Sequence, residues 1–296
     1  MPEASVAAKA LLFAALALLA LLFLGVWWTT ERHARTRLAD AVPSLAAVAI
    51  GALTDFLDTL GIGSFAITTS LYKLGRVIPD EEIPGTMNVG HAVPTLAEAF
   101  IFIAVVEVDI KTLSFMVGAA ALGAWFGAGV VSNLPRRKIQ IGMGALLIVA
   151  AAILTIRQLG WVPGGGDARG LSGARLALGV AGNLVLGALM TLGIGLFAPC
   201  MILVAFLGMN QETAFPIMMG SCAFLMPGAS VRFIRSRRYN LRAAVGLTVG
   251  GTPAALVAAL IVKRLPLSWV KWLVVAVVVY TALAMLRSAT RGKQNV

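Results

Sequence analysis

Apolar positions in this chain gather into long runs rather than into stripes. A helix needs roughly 17 to 25 predominantly apolar residues to cover about 30 Å of hydrocarbon. Runs of that kind predict helices over Leu11–Trp28, Thr86–Val106, Leu113–Val131, Ile139–Ile156, Phe215–Phe233, Leu241–Val262 and Trp269–Leu286. Two further stretches, Val42–Leu74 and Leu176–Leu207, are too long for one span. Each is interrupted in its middle by Gly-Ile-Gly, so both read as helical hairpins.

The interruptions are near copies. Thr59–Ala66 and Thr191–Ala198 match at seven of eight positions, 132 residues apart. Pro94 pairs with Pro227, and Pro135 with Pro266, at nearly the same offset. Each half then runs hairpin, helix, helix, helix. Whether a hairpin re-enters or spans fully, the unit crosses an odd number of times, which turns its second copy upside down. The expected fold is an all-α integral membrane protein of two inverted repeats, each a glycine-interrupted helical hairpin plus three transmembrane helices, with one extra N-terminal helix. The boundaries read 1–41 for the extra helix and a basic loop, 42–157 for the first repeat, 158–173 for a Gly-rich connection, 174–287 for the second repeat and 288–296 for a basic cytoplasmic tail. The first helix competes with a cleaved signal peptide. A single Lys9 in its n-region and a long apolar stretch favour an uncleaved helix.

Composition sharpens the membrane reading. The chain is 59% hydrophobic and 12% charged, against about 25% charged in ordinary soluble domains. The net charge of +11 comes from short clusters between apolar runs, the pattern of the positive-inside rule rather than of nucleic-acid binding. Arg32, Arg35 and Arg37, then Arg136, Arg137 and Lys138, then Arg232, Arg235, Arg237, Arg238 and Arg242 fall on one side when the repeats are inverted. Glu107, Asp109 and the loop Gly160–Gly173 fall on the other, while Lys263, Arg264 and Lys271 run against the pattern. The implied protein is a multi-pass one with its N-terminus outside and its C-terminus cytoplasmic. Cys200 and Cys222 lie in apolar segments, and His33 and His91 are the only histidines, so neither a disulfide framework nor a metal or cofactor site is expected.

Inverted repeats with glycine-interrupted segments at matching places point to a secondary transporter with a site near the midplane. N–H groups at the start of the helix after each Gly-Ile-Gly point toward the tip and carry the positive end of the helix dipole. Two such ends facing each other suit a small anion. The substrate-binding residues expected are Gly61, Ile62, Gly63, Ser64, Thr68, Thr86, Asn88 and His91 in the first half, with Gly193, Ile194, Gly195, Cys200, Ser221 and Cys222 in the second. The plainer alternative is that the glycines only permit tight packing and the cysteines are small buried hydrophobes. Asp58, Asp55 and Glu98 are candidates for proton coupling, because ionisable residues inside a membrane are costly. Arg232 is a candidate for drawing anions to the cytoplasmic mouth. The partners expected are a small anionic substrate, the lipid bilayer, a coupling proton and a homodimeric second copy, with no nucleic acid.

The duplicated hairpin with Gly-x-Gly, Gly85-Thr86 with Gly220-Ser221, and the matching helix order over residues 42 to 287 resemble the TauE/SafE sulfite exporter family, also called the toluene-sulfonate uptake permease family. The resemblance implies transport of sulfite, a sulfonate, sulfoacetate or a related organosulfur anion across the bacterial inner membrane, and export is the expected direction. The first hairpin departs from the family's Gly-x-Gly-Gly-Gly, reading Gly61-Ile-Gly63-Ser64-Phe65, and Ile67 stands where the second unit has Pro199. Competing readings are an anion channel of the same architecture and a thiosulfate uptake permease. An enzyme is not expected, since no nucleophile motif, His cluster or Walker-type loop of recognisable spacing occurs.

Overall fold

The computed structural model describes residues 2–33, 41–161, 166–193 and 195–261, with scattered helical positions between 272 and 290. Ile194, Arg35, Arg37, Lys263, Arg264, Pro266, Lys271, part of the Gly-rich connection, much of the last predicted span and the extreme tail lie outside the described residues. The elements are α1 (Pro2–His33), α2 (Leu45–Thr59), α3 (Phe65–Gly75), α4 (Ile83–Gly90), α5 (Ala92–Val105), α6 (Ile110–Val131), α7 (Arg136–Gln158), α8 (Gly173–Met190), α9 (Phe197–Phe206), α10 (Ala214–Arg235) and α11 (Leu241–Ile261). Six helices among the described residues are long and apolar enough to cross a membrane. The protein is an all-helical integral membrane protein.

Its surface is inverted relative to a soluble fold. Leu21 is 70% exposed, Phe126 67% and Leu260 87%, while Asp55, His91 and Glu98 are fully buried. Exposed apolar side chains at this density make sense against lipid, where no water competes.

Both predicted hairpins form. α2 starts at Ser44, whose Oγ accepts from the Ala47 N–H at 3.1 Å, a regular N-cap. It breaks after Thr59, and α3 starts at Phe65. In the second half α8 breaks after Met190 and α9 starts at Phe197.

The predicted span Thr86–Val106 is instead two helices, α4 and α5, bent by 44°. Pro94 explains the break. A proline has no N–H for the carbonyl four residues back, and its ring crowds that carbonyl. Gly90 is that residue, and its oxygen accepts from Thr248 Oγ1 on α11 at 2.8 Å instead. His91 is left at the bend. Pro227 interrupts nothing, and α10 runs through it as one helix.

Loop contacts sort the helix ends onto two faces. On the first, Arg237 and Tyr239 bond Glu31 at 2.5 and 2.6 Å, Asn240 N–H donates to Thr86 Oγ1 at 2.9 Å, and Arg242 Nε donates to the Val42 carbonyl at 3.0 Å. Gln140 and Lys73 meet at Asp80 there too. On the second, the Asp109 N–H donates to Arg169 O at 2.7 Å, and Asn210 N–H to Ala168 O at 2.8 Å. Thus α2 leaves from, and α3 returns to, the basic face. α8 and α9 do the same from the opposite face. Tyr239 also accepts from Trp27 Nε1 at 3.0 Å, tying α1 to the basic loop. Burial, helped by the adjacent Glu31 carboxylate, pushes its phenol up.

Packing between the halves is reciprocal: α2 lies along α11 and α8 along α6, then α5 meets α11 and α10 meets α6. Glycine makes both close pairs possible. A Cβ on Gly51 would come within 2.6 Å of the Leu247 backbone, and one on Gly187 within 2.8 Å of Ala120 Cα. Small residues let helices in membranes approach backbone to backbone, where van der Waals packing replaces the missing hydrophobic drive.

Candidate functional site at the hairpin tips

The tips meet at the centre of the molecule. Gly61, Gly63, Gly193 and Gly195 have φ of +78°, +97°, +99° and +76°, a region that glycine enters without penalty. A Cβ on Gly63 would sit 3.8 Å from Phe197 Cβ, and one on Gly195 3.4 Å from Phe65 Cβ. Phe65 and Phe197 open α3 and α9 and hold matching places in the two copies. The helix N-termini therefore stand head to head, one from each face. Gly193 is roofed by Met87 and Met143, whose methyls would lie 3.0 and 3.2 Å from an added Cβ.

Around this junction the first half assembles a buried polar cluster. His91, placed by the α4–α5 bend, has Nδ1 2.8 Å from Asp55 Oδ1 and Nε2 3.0 Å from Thr68 Oγ1. With Asp55 ionised, Nδ1 carries the proton and Nε2 accepts from the threonine hydroxyl. Asp58 Oδ1 accepts the Ser64 N–H, the first donor of α3. Thr59 Oγ1 donates to Glu98 Oε1 at 2.5 Å, and the Asp58 carboxyl lies within electrostatic reach of Glu98. Asp55 Oδ2, Asp58 Oδ2 and Glu98 Oε2 are buried without a protein partner. Gly251 on α11 leaves the room that Asp55 occupies, since any side chain there would strike its carboxyl.

The second half contributes no ionisable carboxyl. Met190 stands where the first hairpin has Asp58, and Cys222 Sγ lies 3.7 Å from its sulfur. Cys222 is within electrostatic reach of Asp58, Glu98 and Cys200, so both cysteines border the junction. Ser221 Oγ accepts from Asn183 Nδ2 at 2.8 Å. Asn88 back-bonds to the Pro84 carbonyl and keeps Oδ1 without a partner. Ile62 is buried in the first tip.

Thr86 stands away from the tips, holding the Asn240 loop at the basic face. Arg232, in the last turn of α10, has its guanidinium 4.1 Å from the centroid of the Trp125 ring. Sequence reasoning passed over three others: Thr59, counted only as a repeat position; Asn183, a lone polar residue in the apolar run of α8; and Gly251. Asn183 could have been found by the rule that polar groups inside a membrane need a reason. Among the described residues, no group of three or more His, Cys, Asp or Glu could hold a metal ion.

On the opposite face a cavity of about 740 Å³ opens between Glu107, Arg169, Asn210 and Glu212, with Phe102 and Phe215 in its wall. Their rings stack with centroids 5.2 Å apart. The Phe215 ring would meet a Cβ on Gly61 at 3.4 Å, so the stack stands between the cavity and the first tip.

Against known proteins, residues 2–154 match the family model described as sulfite exporter TauE/SafE. The match takes in α1 as well as the first unit and stops within α7, whereas the sequence resemblance begins at residue 42 and extends through the second unit. No curated protein and no solved structure matches the chain. With just over half of its length matched by that model, the chain belongs to the sulfite exporter TauE/SafE family.

Proposed function

We propose that this member of a sulfur-anion transporter family is a secondary active transporter that binds its anion between the two hairpin tips and exports it. The observation that carries this reading is the head-to-head placement of the α3 and α9 N-termini, reached from opposite faces. Oriented N–H groups and two converging dipoles form an anion site that needs no cationic side chain. The same placement, with the reciprocal packing of the halves, supports two inverted repeats over 42–157 and 174–287. The basic face is then cytoplasmic, with the N-terminus outside, in a bacterial inner membrane.

The buried carboxyls supply the coupling. Two like charges 4 Å apart repel by about 4 kcal/mol at an effective dielectric of 20. An anion cannot sit beside ionised Asp58, Glu98 and Asp55 at that cost. Protons taken up by this cluster offset the substrate charge, so proton or membrane potential drives the cycle.

Thermal stability of the purified chain across sulfite, sulfate, thiosulfate, sulfoacetate, taurine and chloride tests the assignment. A ligand at a hundred times its Kd adds about 2.7 kcal/mol to stability. One or more sulfur anions are expected to stabilise the protein, and the effect is expected to vanish in folded Gly63→Leu and Gly195→Leu. Stabilisation by chloride alone would remove the sulfur specificity. Flux into vesicles that needs no coupling ion would favour a channel.

A further inference from the structure

The two tips share a backbone but differ in what already fills them. At the first, the Asp58 carboxylate takes the leading N–H of α3, that of Ser64, and it is 1% exposed with its second oxygen unpartnered. At the second, Met190 occupies the matching place, and α8 and α9 contain no Asp or Glu at all. Among the described residues, no carboxylate is bonded to the leading N–H groups of α9.

We propose that Asp58 is a built-in competitor for the substrate: its carboxylate occupies the first half of the anion site, and it must take up a proton and release the Ser64 N–H before an anion can bridge both tips. The inference rests on the reading that the anion binds there. One proton enters the site with each anion. It arrives on the Asp58 carboxyl, the Ser64 N–H changes acceptor from Asp58 to the substrate, and no covalent bond other than that O–H forms.

The surroundings favour this residue over its neighbours. Asp55 on the same helix is bonded to His91, and Glu98 from α5 is bonded to Thr59. His91 itself is held by Asp55 and Thr68. From α10 the facing titratable group is Cys222, and from α3 it is Tyr72, which lies toward Asp55. α11 presents Gly251. Among these groups Asp58 alone is bonded to a backbone N–H at the start of a tip helix, the donor an incoming anion needs.

Calorimetry of the full-length purified chain with ethanesulfonate tests this, because that anion stays ionised from pH 5 to 9 and any titration belongs to the protein. Runs in two buffers of different ionisation enthalpy count protons. We expect one proton taken up per anion at the alkaline end, with affinity falling about tenfold per pH unit there. Asp58→Asn is expected to bind without proton uptake and without that slope. Asp58→Glu, which keeps the carboxyl, is expected to keep the proton while moving the pH at which the slope begins.

Zero protons on the unaltered chain would overturn the proposal and leave the site standing. Undiminished uptake in Asp58→Asn would likewise overturn it, as would an unmoved slope in Asp58→Glu should the Asn variant not fold. If neither ethanesulfonate nor any other sulfur anion bound the unaltered chain, the site reading would fall first and this inference with it.

Discussion

The first and second hairpins have nearly the same eight-residue tip and the same run of positive φ, yet opposite chemistry. The first carries Asp55 and Asp58 before its tip and Thr68 and Thr69 after it. The second carries Met190 before, and Pro199 and Cys200 after. The two halves share glycine at the tips and small residues at the helix contacts, but not charge. In the proposed mechanism the anion needs two dipole ends, whereas the coupling proton needs a carboxyl cluster on only one side.

The sharpest way to break that comparison is His91→Ala. It leaves the Asp55 carboxyl buried without its partner, and losing one member of such a pair costs about 3–5 kcal/mol. The loss should shrink as the pH falls, because a protonated Asp55 no longer needs the His91 Nδ1–H donor. Thermal unfolding across pH 5 to 8 reads both. A change at the titratable residue that the second half brings to the junction, Cys222→Ala, is expected to cost only about 1 kcal/mol, and equal losses would end the asymmetry.

Next in size are the helix contacts. Gly51→Leu and Gly187→Leu overpack α2 on α11 and α8 on α6, each at about 3 kcal/mol or more. Similar falls in unfolding temperature are expected in both. A tolerated change in one half would show that the matching packing matters in only one.

The tip substitutions Gly63→Leu and Gly195→Leu force a side chain into φ of +97° and +76°, at about 1–2 kcal/mol each. Their effect on anion-induced stabilisation should be complete despite the small cost in fold. Thr248→Val should do least. It removes the donor to the Gly90 carbonyl, worth about 1 kcal/mol, and loosens only the bend that positions His91.

Much of the fold was legible because membrane helices obey a length rule and because a repeated glycine pair is hard to mistake. The tips were legible for the same reason: Gly-Ile-Gly twice announces the turn and the helix starts after it. The bend at His91 was not read, although Pro94 signals it, since hydropathy runs unbroken across Thr86–Val106. Nor could spacing show that His91 would meet Asp55, 36 residues away. That pairing depends on α5 folding back against α2. The protein partners of Ser221 and Thr86 were not legible either, because a hydroxyl's partner is a matter of tertiary contact, and here Asn183 and Asn240 are those partners.

The hairpins approach each other at their tips, and the cavity above Phe102 and Phe215 stands over the first tip from one side. In an energised membrane that cavity would carry the potential of its own face inward, leaving the voltage to fall across the remaining thickness. Moving one net charge past the tips costs or yields about 2.3 kcal/mol per 100 mV. A sulfite dianion crossing with one proton would carry a single negative charge and be drawn out of an interior-negative cell. A monovalent sulfonate crossing with one proton would carry none, and its traffic would answer to concentration and pH alone.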